Sequence, residues 1–468
     1  MRNVAGIALL LAGAGCGAAP EPAPPAGTDR PNVMVVLVDA LRADRLGPYG
    51  FRERPTSPNL DRFAAQSVVF ERAISQDGWT VPSVASLFSG VYPQTHGVLR
   101  FIDPKSHFEG GGEGGGPVLM DAMSQDHTTL AERFAAAGYA TAAILKSDVI
   151  NAGRGFEQGF EHFEFLSQPP KDRLDSGAQL TDATLRWLAT HGGDPRPFFL
   201  YLHYMDPHTS YIAPEPYYSR YSTGFSSSLD GNHGPIVAFN EEGSPEPTAD
   251  DIGKLLALYD AEIEYWDSQF GRLVDHLAAS GLLNGTIVVV TADHGEAFWE
   301  HELFEHRAVF QENIWVPMIF RVPGVAPARI SSLVQMIDIG PTVVELAGVE
   351  PGPHWVGLSH AEAIRSGSPV LEQPVSSEWA GERTLITPDG LKILLGHGEP
   401  RLYDLTADPG ETVNLAERRP EDFARLKDLL ELRFREAVEL KGRFAAAGPT
   451  ELTPEQVEDL RALGYLDE

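Results

Sequence analysis

The chain has 468 residues and one Cys, and its 36 Lys and Arg against 66 Asp and Glu leave a formal charge of −30. Hydrophobic residues at 43% and charged ones at 22% are ordinary for a folded chain, and the length suits a large core with an accessory unit. Nothing supplies the clustered Lys and Arg that phosphate neutralisation needs, so nucleic acid is excluded as a partner, and one Cys excludes a disulfide framework or a multi-Cys metal site.

Residues 1–16, MRNVAGIALLLAGAGC, carry an early charge at Arg2, a short apolar stretch and small residues up to Cys16. The stretch falls well short of the roughly 20 residues of a membrane-spanning helix. It reads as an export signal and resembles that of bacterial lipoproteins, with Cys16 as the lipidated residue. A periplasmic or cell-surface lipoprotein held to the membrane by this anchor is therefore expected, with 17–30 as a Pro/Ala tether.

Unbroken apolar runs at 33–38, 140–145, 198–202 and 286–291 read as strands buried on both faces. Helical patterns at 58–65, 129–137, 181–190 and 254–279 lie between them. The alternation predicts an α/β domain with a mainly parallel sheet between helical layers over 31–365. EGGGEGGG, between Phe108 and Pro117, reads as a surface insertion. Within 366–447, strand-like pieces at 383–387 and 391–395 flank Pro388-Asp389-Gly390, and a helix follows at 420–440. They predict a small α+β subdomain with an antiparallel sheet. Thr453-Pro454-Glu455-Gln456 is a capping box, so 448–468 should hold a final helix.

The chemistry begins at two strand ends. Asp39 follows VVLV and Asp293-His294 follow IVVVTA, so the three side chains share one sheet edge if their strands are neighbours, and together they suit a divalent cation. Thr80 opens a short helix bracketed by Pro82 and Gly90, with Val84, Leu87 and Phe88 on its buried face. There the free N–H groups favour an anion beside the hydroxyl, although a helix cap is the plainer reading of a lone Thr.

VDALRADRLGPYG from Val38, TVPSVASLFSG from Thr80, GYATAAILK from Gly138, HYMDPHTSY from His203 and TADHGEAFWEH from Thr291 occur in the order seen in sulfatases. RVPG, MIDIGPTVVELAGV, LYDLTADPGETVNL and LRALGYL continue it. Nearly everything after residue 30 resembles the sulfatase family of the alkaline phosphatase superfamily. The resemblance implies Asp39, Asp293 and His294 as metal ligands with Thr80 at the nucleophile position, and His208, His306 and Lys146 as substrate-binding or catalytic groups. For Lys146 a solvated strand end remains the alternative. Asp206 and His203 are candidates for a second metal site, and His96 reads as a structural turn residue.

Four departures stand out. Ala40 replaces the second Asp ligand, and His294 stands where many sulfatases have Asn, which favours zinc or manganese over calcium. Thr80 occupies the place of the Cys or Ser that becomes formylglycine, and Val84 that of the motif's Arg. A Thr here resembles the lipoteichoic acid synthases and phosphoethanolamine transferases. Three functions follow as expectations. The first is a metal-dependent hydrolase or transferase of phosphate esters, lipid- or glycan-linked, acting through Thr80. The others are a sulfate ester hydrolase that needs no formylglycine and a degenerate binding lipoprotein. Oligomeric state is not legible.

Overall fold

The computed structural model describes residues 30–102, 117–147, 149–166, 176–191, 193–454 and 456–458. The signal with Cys16, the tether, the glycine-rich insertion and the end of the final helix lie outside these residues.

An eight-stranded sheet organises the large unit. In chain order its strands are β1 (Asn32–Val38), β2 (Val68–Ile74), β3 (Ala140–Leu145), β4 (His162–Phe165), β5 (Phe198–Tyr204), β6 (Thr286–Ala292), β7 (Trp315–Arg321) and β8 (Ala328–Gln335). Their spatial order is β8-β2-β7-β6-β1-β5-β3-β4, and β7 alone runs antiparallel to its neighbours. The expected α/β architecture with a mainly parallel sheet is thus the observed one. β1 is central, and Val33 to Val38 are wholly buried, as a strand covered on both faces requires.

The helices pack in two groups. One contains α1 (Pro58–Ala64), α4 (Ser176–His191) and the 31-residue α5 (Ala249–Ala279). The other contains α2 (Thr80–Ser89), α3 (Leu130–Ala136) and α6 (Ile339–Leu346). Two helices begin earlier than their apolar patterns suggest. α5 starts five residues before Lys254, because Thr248 and Asp251 form a capping box that the polar sequence Ala-Asp-Asp hides from a periodicity reading. α4 is helical from Ser176, the first described residue there, and a Cβ at Gly177 would press on Asp206 and on Gln269 of α5.

Beyond this unit, β9 (Val375–Trp379), β10 (Glu382–Ile386), β11 (Leu391–Leu395) and β12 (Arg401–Asp404) form an antiparallel sheet covered by α7 (Pro420–Lys441). Gly390, with φ +88, makes the expected turn between β10 and β11. The last segment differs from an all-helical reading: Thr450–Glu451 first adds a short strand against Leu119–Met120. The capping box follows, with reciprocal bonds between Thr453 and Gln456.

Candidate active site

Parallel pairing of β1 and β6 sets Val38 opposite Ala292, so Asp39 and Asp293 leave the sheet side by side. Ala40, at φ +55, turns its N–H onto Asp293 Oδ1 at 3.2 Å, and His294 N–H donates to the same oxygen at 2.9 Å. Asp293 Oδ2 and Asp39 Oδ1 are left buried without a hydrogen-bond donor. His294 Nε2 lies 3.5 Å from Asp39 Oδ1 and 3.7 Å from Asp293 Oδ2. These separations approach the edge of about 3.4 Å expected between ligands of a tetrahedral ion with bonds near 2.1 Å. The donor set therefore fits a divalent cation. Burial, reinforced by the Asp39 carboxylate, pushes Asp293 up to about 6, while burial also works against Asp39 and is outweighed there by His208, His203 and His294.

Thr80 begins α2, and its Oγ1 is wholly buried 3.1 Å from His294 Nε2 and 3.5 Å from Asp39 Oδ2. The His294 ring has one tautomer: Nδ1 faces the Gly295 carbonyl at 2.8 Å and must carry the proton. Nε2 therefore presents a lone pair, as either a metal ligand or an acceptor for the Thr80 hydroxyl requires. Val84 is sealed in the core one turn along α2.

His203, a candidate for a second metal site in the sequence, lies with the first group. It lies next to last in β5, the other neighbour of β1, and its Nε2 lies 3.1 Å from Asp39 Oδ2, so it belongs to the first cluster. Asp39, His203 and Asp293 each offer a donor atom within 4.8 Å of one another. Asp206 is not part of that group; its carboxylate lies against Gly177 of α4. Tyr201 went unnoticed in the sequence, because inward side chains of a buried strand read as core. Its hydroxyl lies 2.9 Å from His203 Nδ1, and burial followed by Asp293 and Asp39 pushes its pKa far up, so it stays protonated.

His208 and His306 complete the cluster, with ring centroids 5.0 Å apart and that of His306 4.3 Å from His294. His208 Nδ1 faces the Thr209 carbonyl at 2.9 Å. His306 Nδ1 lies 3.3 Å from Glu296 Oε1, and burial with His294 and His208 holds its pKa well below the usual range. Glu296, also missed, stands two residues beyond His294 within the TADHGE motif, wholly buried and pushed well above the carboxylate range by burial and Glu305. Lys146 follows β3, with its N–H on the His203 carbonyl at 3.3 Å, and its ammonium donates to Gln179 of α4 at 2.7 Å. His96 stands apart, its ring between Ser86 Oγ and the Val98 N–H.

A buried cluster of carboxylates and imidazoles at the edge of the large sheet thus defines the site. The family model described as Sulfatase matches residues 31–349, and the chain belongs to the sulfatase family. It is 25% identical to arylsulfatase K of Gallus gallus, over 90% of this chain and 85% of that protein. It is likewise 25% identical to a Δ4,5-hexuronate-2-O-sulfatase of Bacteroides thetaiotaomicron, covering 86% of each. The solved phosphonate monoester hydrolase of Agrobacterium radiobacter superposes with a TM-score of 0.70 at 21% identity, over 91% of this chain and all of that one. The chain is a sulfatase-family protein with a buried group suited to a metal ion.

Proposed function

We propose that the protein hydrolyses phosphate mono- or diesters, or transfers their phosphoryl group, through Thr80. The observation that carries this reading is the Thr80 hydroxyl, buried between His294 Nε2 and Asp39 Oδ2, at the position to which the resemblance to sulfatases assigns the nucleophile. Asp39, Asp293, His294 and Thr80 would hold a divalent cation, with zinc or manganese favoured by the imidazole. Bound there, a cation offsets the carboxylate charges and lowers the pKa of a neighbouring hydroxyl.

Thr80 Oγ1, its proton released to solvent as the hydroxyl ionises, forms the bond to phosphorus as the bond to the leaving alcohol breaks. His208, or His306 through its Nε2–H as Glu296 passes its own proton to Nδ1, donates a proton to the departing oxygen. Tyr201 and His203 do not react. The phenol donates to Nδ1, leaving Nε2–H to hold Asp39 in place. Water, or an acceptor alcohol, then attacks the phospho-Thr80 ester and restores the hydroxyl.

Sulfate ester hydrolysis is the second reading, favoured by the sulfatase relatives, and the glycan sulfatase among them extends it to glycan-linked substrates. It is weakened because a sulfo-Thr carries less charge for the histidines to grip, and no aldehyde is available to expel sulfate. Metal analysis followed by a screen of phosphate, phosphonate and sulfate esters decides between the two. Phosphate ester turnover with a mass increase on the acid-quenched Thr80 peptide supports the first; efficient sulfatase activity with Thr80 unmodified overturns it.

Export and anchoring through Cys16 complete the proposal. Cys16→Ser should move the protein from the membrane fraction to the soluble one, and unchanged membrane association would remove the anchor.

A further inference from the structure

His306 stands on an irregular segment between Phe304–Glu305, a two-residue strand, and the helical turn Gln311–Ile314. Its backbone is gripped from the C-terminal sheet. Lys392 of β11 donates from Nζ to the Val309 carbonyl at 2.6 Å and pairs with Glu411 Oε1, also at 2.6 Å. The other oxygen of Glu411 accepts from the Gln311 N–H at 2.7 Å. Both side chains are 0% exposed. Around them, Ala308, Val309 and Phe310 share a hydrophobic cluster with Ile386, Leu394 and Tyr403.

The same sheet reaches the turn before Thr80. Gly78 N–H donates to the Glu378 carbonyl at 3.2 Å, and Glu378 N–H to the Gln76 carbonyl at 3.1 Å. Gly78 has no room for a Cβ against the Ala308 carbonyl, so the Thr80 turn and the His306 segment abut at this point. A fully buried ion pair contributes little net stability, because desolvation opposes its Coulomb attraction. Here its hydrogen bonds go to the backbone of a catalytic segment, which points to geometry as its use.

We propose that the buried Lys392–Glu411 pair of the C-terminal sheet is a positioning element of the active site, fixing the Val309 and Gln311 backbone and thereby the place of His306 beside His208 and His294. This rests on the catalytic reading of His306 given above. Lys392 and Glu411 touch no substrate and act through the segment they hold.

The test compares Lys392→Met, which strands a buried carboxylate, with Lys392→Met/Glu411→Gln, which removes both charges and keeps an acceptor for Gln311. Leu430→Ala, in the core between α7 and the sheet, controls for lost stability alone. Each folded variant is assayed on an ester that the wild type turns over, and its His306 ring nitrogens are followed by NMR, assigned through His306→Gln. The double variant should recover much of the melting temperature lost by the single one, yet keep kcat about tenfold or more below wild type with KM within about threefold. His306 signals should move while those of His96 stay, and Leu430→Ala should keep the wild-type kcat. Wild-type kcat or unmoved His306 signals in the double variant overturn the proposal. Should the wild type turn over no ester, the catalytic reading falls and the His306 signals alone decide the positioning role.

Discussion

The Thr80 hydroxyl lies 3.1 Å from Nε2 of His294, whose opposite nitrogen is committed to the Gly295 carbonyl. A lone pair therefore faces the hydroxyl in the neutral ring. With Asp39 Oδ2 on its other side, Thr80 is an alcohol seated against both an imidazole and a carboxylate of the metal group.

Thr80→Ala should lower kcat by about a thousandfold or more, as loss of a covalent nucleophile does. Thr80→Ser should keep activity within roughly tenfold, since the oxygen stays at the start of α2. Steady-state kinetics and thermal melts check both; an active, well-folded Thr80→Ala protein would exclude the nucleophile.

Removing metal should make stability sensitive to pH. The Asp293 carboxyl, raised to about 6 by burial and by Asp39, binds a proton in the folded state that the unfolded chain has released above its ordinary 3.8. Stability of the metal-free protein therefore falls as pH rises from about 4 through 6. Melts with and without chelator at pH 5.5 and 7.5 should show the larger chelator effect at 7.5. Asp293→Asn should bind no metal and should lose this component of the pH dependence.

Glu296 should act on His306 as a neutral acid. Burial and Glu305 keep its proton on, and an O–H donated to His306 Nδ1 leaves the ring's Nε2–H toward the site. Glu296→Gln, which can donate in the same place, should retain kcat within about fivefold. Glu296→Ala should lose roughly a hundredfold, with KM changed less. Equal losses in the two variants would show that the proton is not what matters.

Glu378 should make the protein less stable in alkali. Burial pushes its carboxyl from the ordinary 4.5 up to about 7, while Gln94 and Arg383 pull the other way. Its folded-state pKa is the higher one, so its penalty is absent below about pH 4.5 and complete above about pH 7, amounting to roughly 3 kcal/mol at most. Glu378→Gln should therefore raise the melting temperature at pH 8 and leave it nearly unchanged at pH 4.5.

Four of the eight strands of the large sheet were legible in the sequence, and two of them with the ends that matter for the site. The apolar runs before Asp39 and Asp293 have no place but the middle of a sheet, and a polar residue ending each run must emerge at its edge. The capping boxes at Thr129 and Thr453 are local in the same sense, since all their partners lie within three residues. Strand order was decided elsewhere. That β5 lies against β1, bringing His203 and its Tyr201 partner to Asp39, follows from how the helices close over the sheet. Buried strands of similar composition carry no mark of their neighbours. The grip of Lys392 and Glu411 on the His306 segment is more remote still, joining residues 83 and 100 positions apart. A lysine within an apolar strand reads as an edge charge until packing removes the water around it and leaves one carboxylate and one carbonyl to take its protons.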